Sequence, residues 1–190
     1  MRALVLPHGD QKPVFGSDVF LAPNATVVGD VRLGDGVSIW YGTILRGDVN
    51  TITIGADTNV QDATVFHGTL GEWPVVVGER VSIGHSAMVH GAILEDDCLV
   101  GIGARVLDGS RVGRFSLIAA GALVREGQVI PERSLVVGVP GVVKRKLTDA
   151  ELERITRTPA RYRKLAANTR AACIEAGHED PFWISANGAD

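Results

Sequence analysis

Three of the five histidines, His67, His85 and His90, lie within a short stretch of the chain. A neutral imidazole is a common ligand for zinc, iron and cobalt. Three imidazoles with an open fourth position make a catalytic metal site, whereas structural sites close all four. Such an ion acidifies a bound water and supplies hydroxide near neutral pH. The competing interpretation is three unrelated surface histidines, and the spacing alone leaves it open. What decides is how the chain positions them.

The positioning element is a repeat. Aliphatic residues, once Phe, recur every six positions: Leu21, Val27, Leu33, Ile39 and Leu45, then Ile54, Val60 and Phe66, then Val77, Ile83 and Val89. One residue out of step, the series continues from Leu94 through Val100, Val106, Val112, Ile118, Val124 and Ile130 to Val136. Four residues after the ladder position stands mostly a small or β-branched residue, such as Thr43, Thr64, Ala87, Cys98 or Ser116. Gly often follows the aliphatic residue directly, as at Gly34, Gly55, Gly84 and Gly101. Neither a helix nor an ordinary strand keeps this register, and a β-sandwich has strands at irregular spacing. The period predicts an all-β solenoid, a parallel β-helix of hexapeptide repeats. The aliphatic residues form its inward ladder, and the glycines are expected to relieve strain in the turns. Aromatics are only 5% of the chain, which suits a core of Val, Ile and Leu.

Two features interrupt or end the repeat. Residues His67 to Val76 form a projecting loop punctuated by Gly and Pro, and Gly138-Val139-Pro140-Gly141 marks a stop. Thr148 and Glu151 make a capping box that opens a helical run carrying Leu152 and Ile155. Pro159 is expected to kink or restart that helix. A second run then holds Tyr162, Leu165, Ala166 and Ile174. The expected organisation is a β-helix domain over 1–147, a helical segment over 148–178 packed alongside it, and a tail over 179–190. The basic excess between Lys144 and Arg170 reads as a solvated helix face.

None of the three histidines falls on the inward ladder, so all should point outward. His85 and His90 flank a corner and face away from each other. A single prism can hardly wrap all three around one ion. Two prisms side by side can, one giving His85 and the other His67 and His90. Three such interfaces close a cyclic trimer.

These residues carry a resemblance. Leu45-Arg46-Gly47-Asp48, Asn59-Val60-Gln61-Asp62, His67, and Gly84-His85 ahead of His90-Gly91 are similar to the motifs of the γ-class carbonic anhydrases. The resemblance implies a left-handed coil, a homotrimer, and zinc (or iron or cobalt) on His67, His85 and His90. It implies that Gln61 hydrogen-bonds the metal-bound hydroxide and that Asn59 supports it. Arg46 and Asp48 would pair across the subunit interface, and Tyr162 would reach the rim of the site. Taken alone, Arg46-Gly47-Asp48 also suits an ordinary corner with a surface ion pair, and Tyr162 also suits plain helix packing. The implied reaction is reversible hydration of CO₂ to bicarbonate. The loop after His67 has Glu72 as its one carboxylate, so proton export is expected to be slow.

Two other functions share the scaffold: a coenzyme A thioester hydrolase or acyltransferase, and a non-catalytic trimeric assembly subunit. A net charge of -3 argues against nucleic acid, and no apolar run approaches a membrane span. The N-terminal apolar run is too short for a signal peptide, and Cys98 and Cys173 read as free thiols. The expected compartment is the cytoplasm.

Overall fold

The computed structural model describes residues 2–177 and the backbone of Trp183–Ile184. The expected tail otherwise lies outside the described residues. The chain is a left-handed parallel β-helix of about 7 turns with one C-terminal helix. A 12-stranded sheet wraps two faces, because the long strands Thr26–Leu33 and Ile44–Ile54 turn the corner between them. A 9-stranded sheet forms the third face.

The ladder is inward throughout. Leu21, Val27, Ile39, Leu45, Val60, Phe66, Ile83, Val89 and their successors to Val136 are buried in one continuous core. Parallel pairing keeps them in register, with Leu45 beside Phe66, Phe66 beside Val89 and Val89 beside Val106. The small residues four positions on are buried too, and their hydroxyls serve the next coil. Thr43 donates to the Gln61 carbonyl at 3.0 Å and Thr64 to that of Gly84 at 3.2 Å. A hydroxyl beside a corner thus satisfies a carbonyl that would otherwise lose its partner.

The glycines need a correction. Those that follow the ladder residue do not occupy the left-handed turns. A Cβ on Gly84 would lie 2.8–2.9 Å from backbone atoms of Val100, Gly101 and Ile102, so close stacking of coils requires this glycine. The turns fall three residues after the ladder position instead. They hold Gly103 at φ +65° but also Ala63, Ser86 and Asp97 at φ +58°, +57° and +59°.

After Val137 the chain reverses, and Val142–Lys146 pairs antiparallel with Ser134–Val137. The helix, α1 (Asp149–Glu175), opens on the expected capping box. It runs uninterrupted through Pro159, contrary to the expected kink or restart. Pro159 is buried, and packing against the solenoid carries the helix past the missing amide. Leu152 and Ile155 pack on Leu99, Leu117 and Leu135, and Ala166 and Tyr162 on Phe20 and Trp40. The helix therefore runs back along the third face from late coils to early ones. Leu165 and Ile174 point outward, so the expected second apolar run reduces to Tyr162 and Ala166. Both cysteines are free.

Candidate metal centre

His67 follows Phe66 and His90 follows Val89, so alternation turns both rings outward at one corner. The coils bring them side by side, because His67 and His90 are direct register partners and Arg46 pairs with His67. The His67 Nδ1 lies 3.1 Å from His90 Nε2, and the ring centroids are 5.1 Å apart. His85 stands elsewhere, on the turn after Ser82–Ile83. Among the described residues of one chain, no three ligand side chains converge on a point. The chain thus presents His67 and His90 as a pair and His85 apart from them.

Each histidine is braced by a carboxylate one coil away. Asp48 Oδ1 lies 3.0 Å from His67 Nε2, and Asp62 Oδ2 lies 2.8 Å from His85 Nδ1. Asp108 Oδ1 takes the Nδ1 side of His90 in a short contact. A carboxylate only accepts, so each bracing contact fixes a proton on one ring nitrogen and leaves the other for a cation. This donor set fits a divalent metal of the zinc, iron or cobalt group.

The surrounding residues are ordered. Arg46 pairs with Asp48 at 2.5 Å within the same chain. Burial works against ionising Asp48, but the hydrogen bonds from Arg46 and His67 outweigh it and hold its carboxyl below the usual range. The same balance holds for Asp108, through His90 and Thr69. Gln61 and Asn59 are buried. Gln61 Nε2 donates to Asn59 Oδ1 at 3.1 Å, and Asn59 Nδ2 donates to Ser82 Oγ at 2.8 Å. That relay fixes the orientation of both amides and leaves the Gln61 carbonyl oxygen as an acceptor. Gln61 lines a groove of about 550 Å³ with Gly84, Ile102, Arg154, Thr158 and Arg161.

Tyr162 stands edge-on to Trp40, with centroids 5.5 Å apart. Burial first, and the Asp62 charge second, push its hydroxyl above the ordinary phenol range. Tyr162 and His85 therefore share the neighbourhood of Asp62.

The bracing roles of Asp62 and Asp108 were not predicted, nor was Thr69. A signal existed. His90 and Asp108 are 18 residues apart, one residue beyond the Val89–Val106 register, and His85 and Asp62 are 23 apart, one coil plus the inserted loop.

Comparison with known proteins gives consistent results. A family model described as bacterial transferase hexapeptide (six repeats) matches residues 12–47. Gamma carbonic anhydrase 2, mitochondrial, of Arabidopsis thaliana is 45% identical over 162 residues, covering 83% of this chain and 58% of the plant protein. The chain therefore spans little more than half of that relative. A carbonic anhydrase of Geobacillus kaustophilus is 34% identical over 178 residues, covering 90% of this chain and 97% of the relative. The crystal structure of a hexapeptide transferase family protein from Anaplasma phagocytophilum superposes with a TM-score of 0.83 at 36% identity, covering 88% of this chain and 99% of that one. On the fold, the repeat and these identities, the chain belongs to the γ carbonic anhydrase family of hexapeptide-repeat proteins.

Proposed function

We propose that the protein is a homotrimeric, metal-dependent carbonic anhydrase that hydrates CO₂ to bicarbonate at sites shared between protomers. The observation that carries this is the pairing of His67 and His90 at 3.1 Å, with His85 braced separately on another corner. In the trimer, His67 and His90 of one protomer would meet His85 of the next. The same strands offer a surface for that contact. Ile44 and Met88 are exposed apolar residues two positions before Arg46 and His90, on the same outward side.

A divalent metal held there would supply Lewis acidity and lower the pKa of a bound water to about 7, as in carbonic anhydrases of another class. The remaining work falls to the chain. The Gln61 carbonyl oxygen accepts a hydrogen bond from the nucleophile and orients it without titrating. Asn59 and Ser82 hold that amide in place. Arg46 and Asp48 order the corner and His67. Tyr162 keeps its proton at neutral pH and closes the helix side. Glu72 is the loop's one carboxylate, so protons leave mainly to solution buffer. Two free cysteines fit a reducing compartment, which we take to be the cytoplasm. Among the described residues, no helix is long and apolar enough to cross a membrane.

A second reading, action on a coenzyme A thioester, is favoured by the groove beside Gln61. Its 550 Å³ and two arginines exceed what CO₂ requires. Stopped-flow CO₂ hydration on zinc-, iron- and cobalt-loaded protein, the iron form anaerobic, separates the two. Hydration lost in His67→Ala is expected; a flat trace in every metal form contradicts it and favours the thioester reading.

A further inference from the structure

We propose that Asp108 is a positioning residue for His90, and that Thr69 couples it to the loop inserted after His67. The proposal rests on the reading of His90 as a metal ligand.

Asp108 uses both oxygens. Oδ1 accepts from His90 Nδ1, and Oδ2 accepts from Thr69 Oγ1 at 2.5 Å. The first contact fixes the His90 tautomer. With the proton on Nδ1, the Nε2 lone pair faces the His67 ring, where a shared cation belongs. An unrestrained imidazole samples both tautomers, and one of the two would turn a proton toward the metal.

The second contact ties this arrangement to the loop. Thr69 is itself anchored: its amide donates to the Trp73 carbonyl at 2.9 Å, and its carbonyl accepts from Asn50 Nδ2 at 2.8 Å. Trp73 then covers the corner that carries Asp108. A Cβ on Gly109 would lie 3.2 Å from the Trp73 ring. A Cβ on Gly91 would meet Asp108 Oδ1 at 2.5 Å and the Trp73 Cβ at 2.7 Å. Both positions have positive φ, +53° and +65°, and a side chain there would also crowd Asp108 or Trp73. The loop thus acts as a latch on Asp108, and Asp108 on His90. In this arrangement the insertion contributes to metal affinity without supplying a ligand.

The test uses Asp108→Ala, Asp108→Asn and Thr69→Val in the full chain, with two readouts. Long-range ¹H–¹⁵N correlation on histidine-labelled, metal-free protein reports the His90 tautomer. Competition against a zinc chelator reports affinity. The wild type should show the Nδ1–H form. Asp108→Ala should show a tautomer mixture and bind zinc about 10–100-fold more weakly. Asp108→Asn keeps an accepting oxygen and should fall between the two. Thr69→Val should lose a few-fold in affinity while His90 keeps most of its tautomer. Unchanged tautomer in a folded Asp108→Ala overturns the proposal, whatever the affinity does. If that variant does not fold, an unchanged affinity in both Asp108→Asn and Thr69→Val overturns it. Wild-type protein that takes no metal defeats the metal reading instead, and the tautomer measurement still decides Asp108.

Discussion

Replacing Gly84 by Ala separates the two jobs that glycine does in this solenoid. Gly84 has an ordinary backbone conformation, so alanine introduces no torsional strain there. Its Cβ, however, would sit 2.8 Å from the Ile102 amide nitrogen and 2.9 Å from the Gly101 carbonyl carbon and the Val100 oxygen. These are backbone atoms of the next coil and cannot rotate aside. The coils must part by several tenths of an ångström. Overpacking costs about 1–3 kcal/mol, and an obstacle made of backbone belongs in the upper half, about 2–3 kcal/mol. For a chain of this size that lowers Tm by about 4–12 °C. Gly103 is the control. It lies in the left-handed region at φ +65°, and a methyl group added there would meet nothing within 4 Å, so Gly103→Ala costs torsion alone, about 1–2 kcal/mol. Gly103→Asn should recover much of that loss, and Gly84→Asn should recover none. Differential scanning calorimetry at one protomer and metal concentration makes the comparison fair. Since His85 follows Gly84 directly, zinc affinity should also fall in Gly84→Ala. A Gly84→Ala protein melting within about 1 °C of wild type would refute the stacking argument.

Other outcomes follow from the same geometry. Gln61→Leu should keep its metal and lose about 10²-fold in kcat, read by metal analysis alongside stopped-flow hydration. Hydration should accelerate with rising imidazole buffer, because Glu72 is a sparse relay; a buffer-independent kcat contradicts this. Cys98 is buried and its thiol is pushed up to about 12 by that burial. A thiol reagent at about pH 8 should therefore leave Cys98 unmodified in native protein and modify it after denaturation. At the helix start, Arg145 first and then Thr148 hold the Glu151 carboxyl well below its ordinary value of 4.5. A depressed folded-state pKa stabilises above the unfolded value and is lost as pH falls through the folded one. Acidification below about pH 4.5 should thus progressively loosen the helix in wild type but not in Glu151→Gln, followed by fluorescence of Trp40 beneath Tyr162.

The solenoid was legible because its inward positions all obey one rule. Each from Leu21 to Val136 must fill the same kind of space, so the period survives even the insertion after His67. The outward direction of His67 and His90 followed from that ladder by alternation, while His85 lies on a turn off the ladder. What stayed hidden depended on which residues become neighbours between coils. Asp108 touches His90 only because the coils stack Val106 beside Val89 and so bring the two following corners together. The glycine roles were exchanged because sequence shows a glycine's place in the hexad and not which backbone approaches it. Pro159 carries a local signal to break the helix, and contact with the solenoid overrides it. Leu165 and Ile174 suit a helix stripe, but the surface beneath α1 is used up by Phe20 and Trp40.

A metal centre that exists only between protomers can be rebuilt by complementation. His85→Ala and the double variant His67→Ala/His90→Ala each destroy every site in a homotrimer. In a mixed cyclic trimer, one interface joins an intact His67–His90 pair to an intact His85. Purified mixed trimers should therefore hold about one metal per trimer and recover CO₂ hydration, while both parents hold none. Mixed trimers as empty and as inactive as their parents would contradict the shared site.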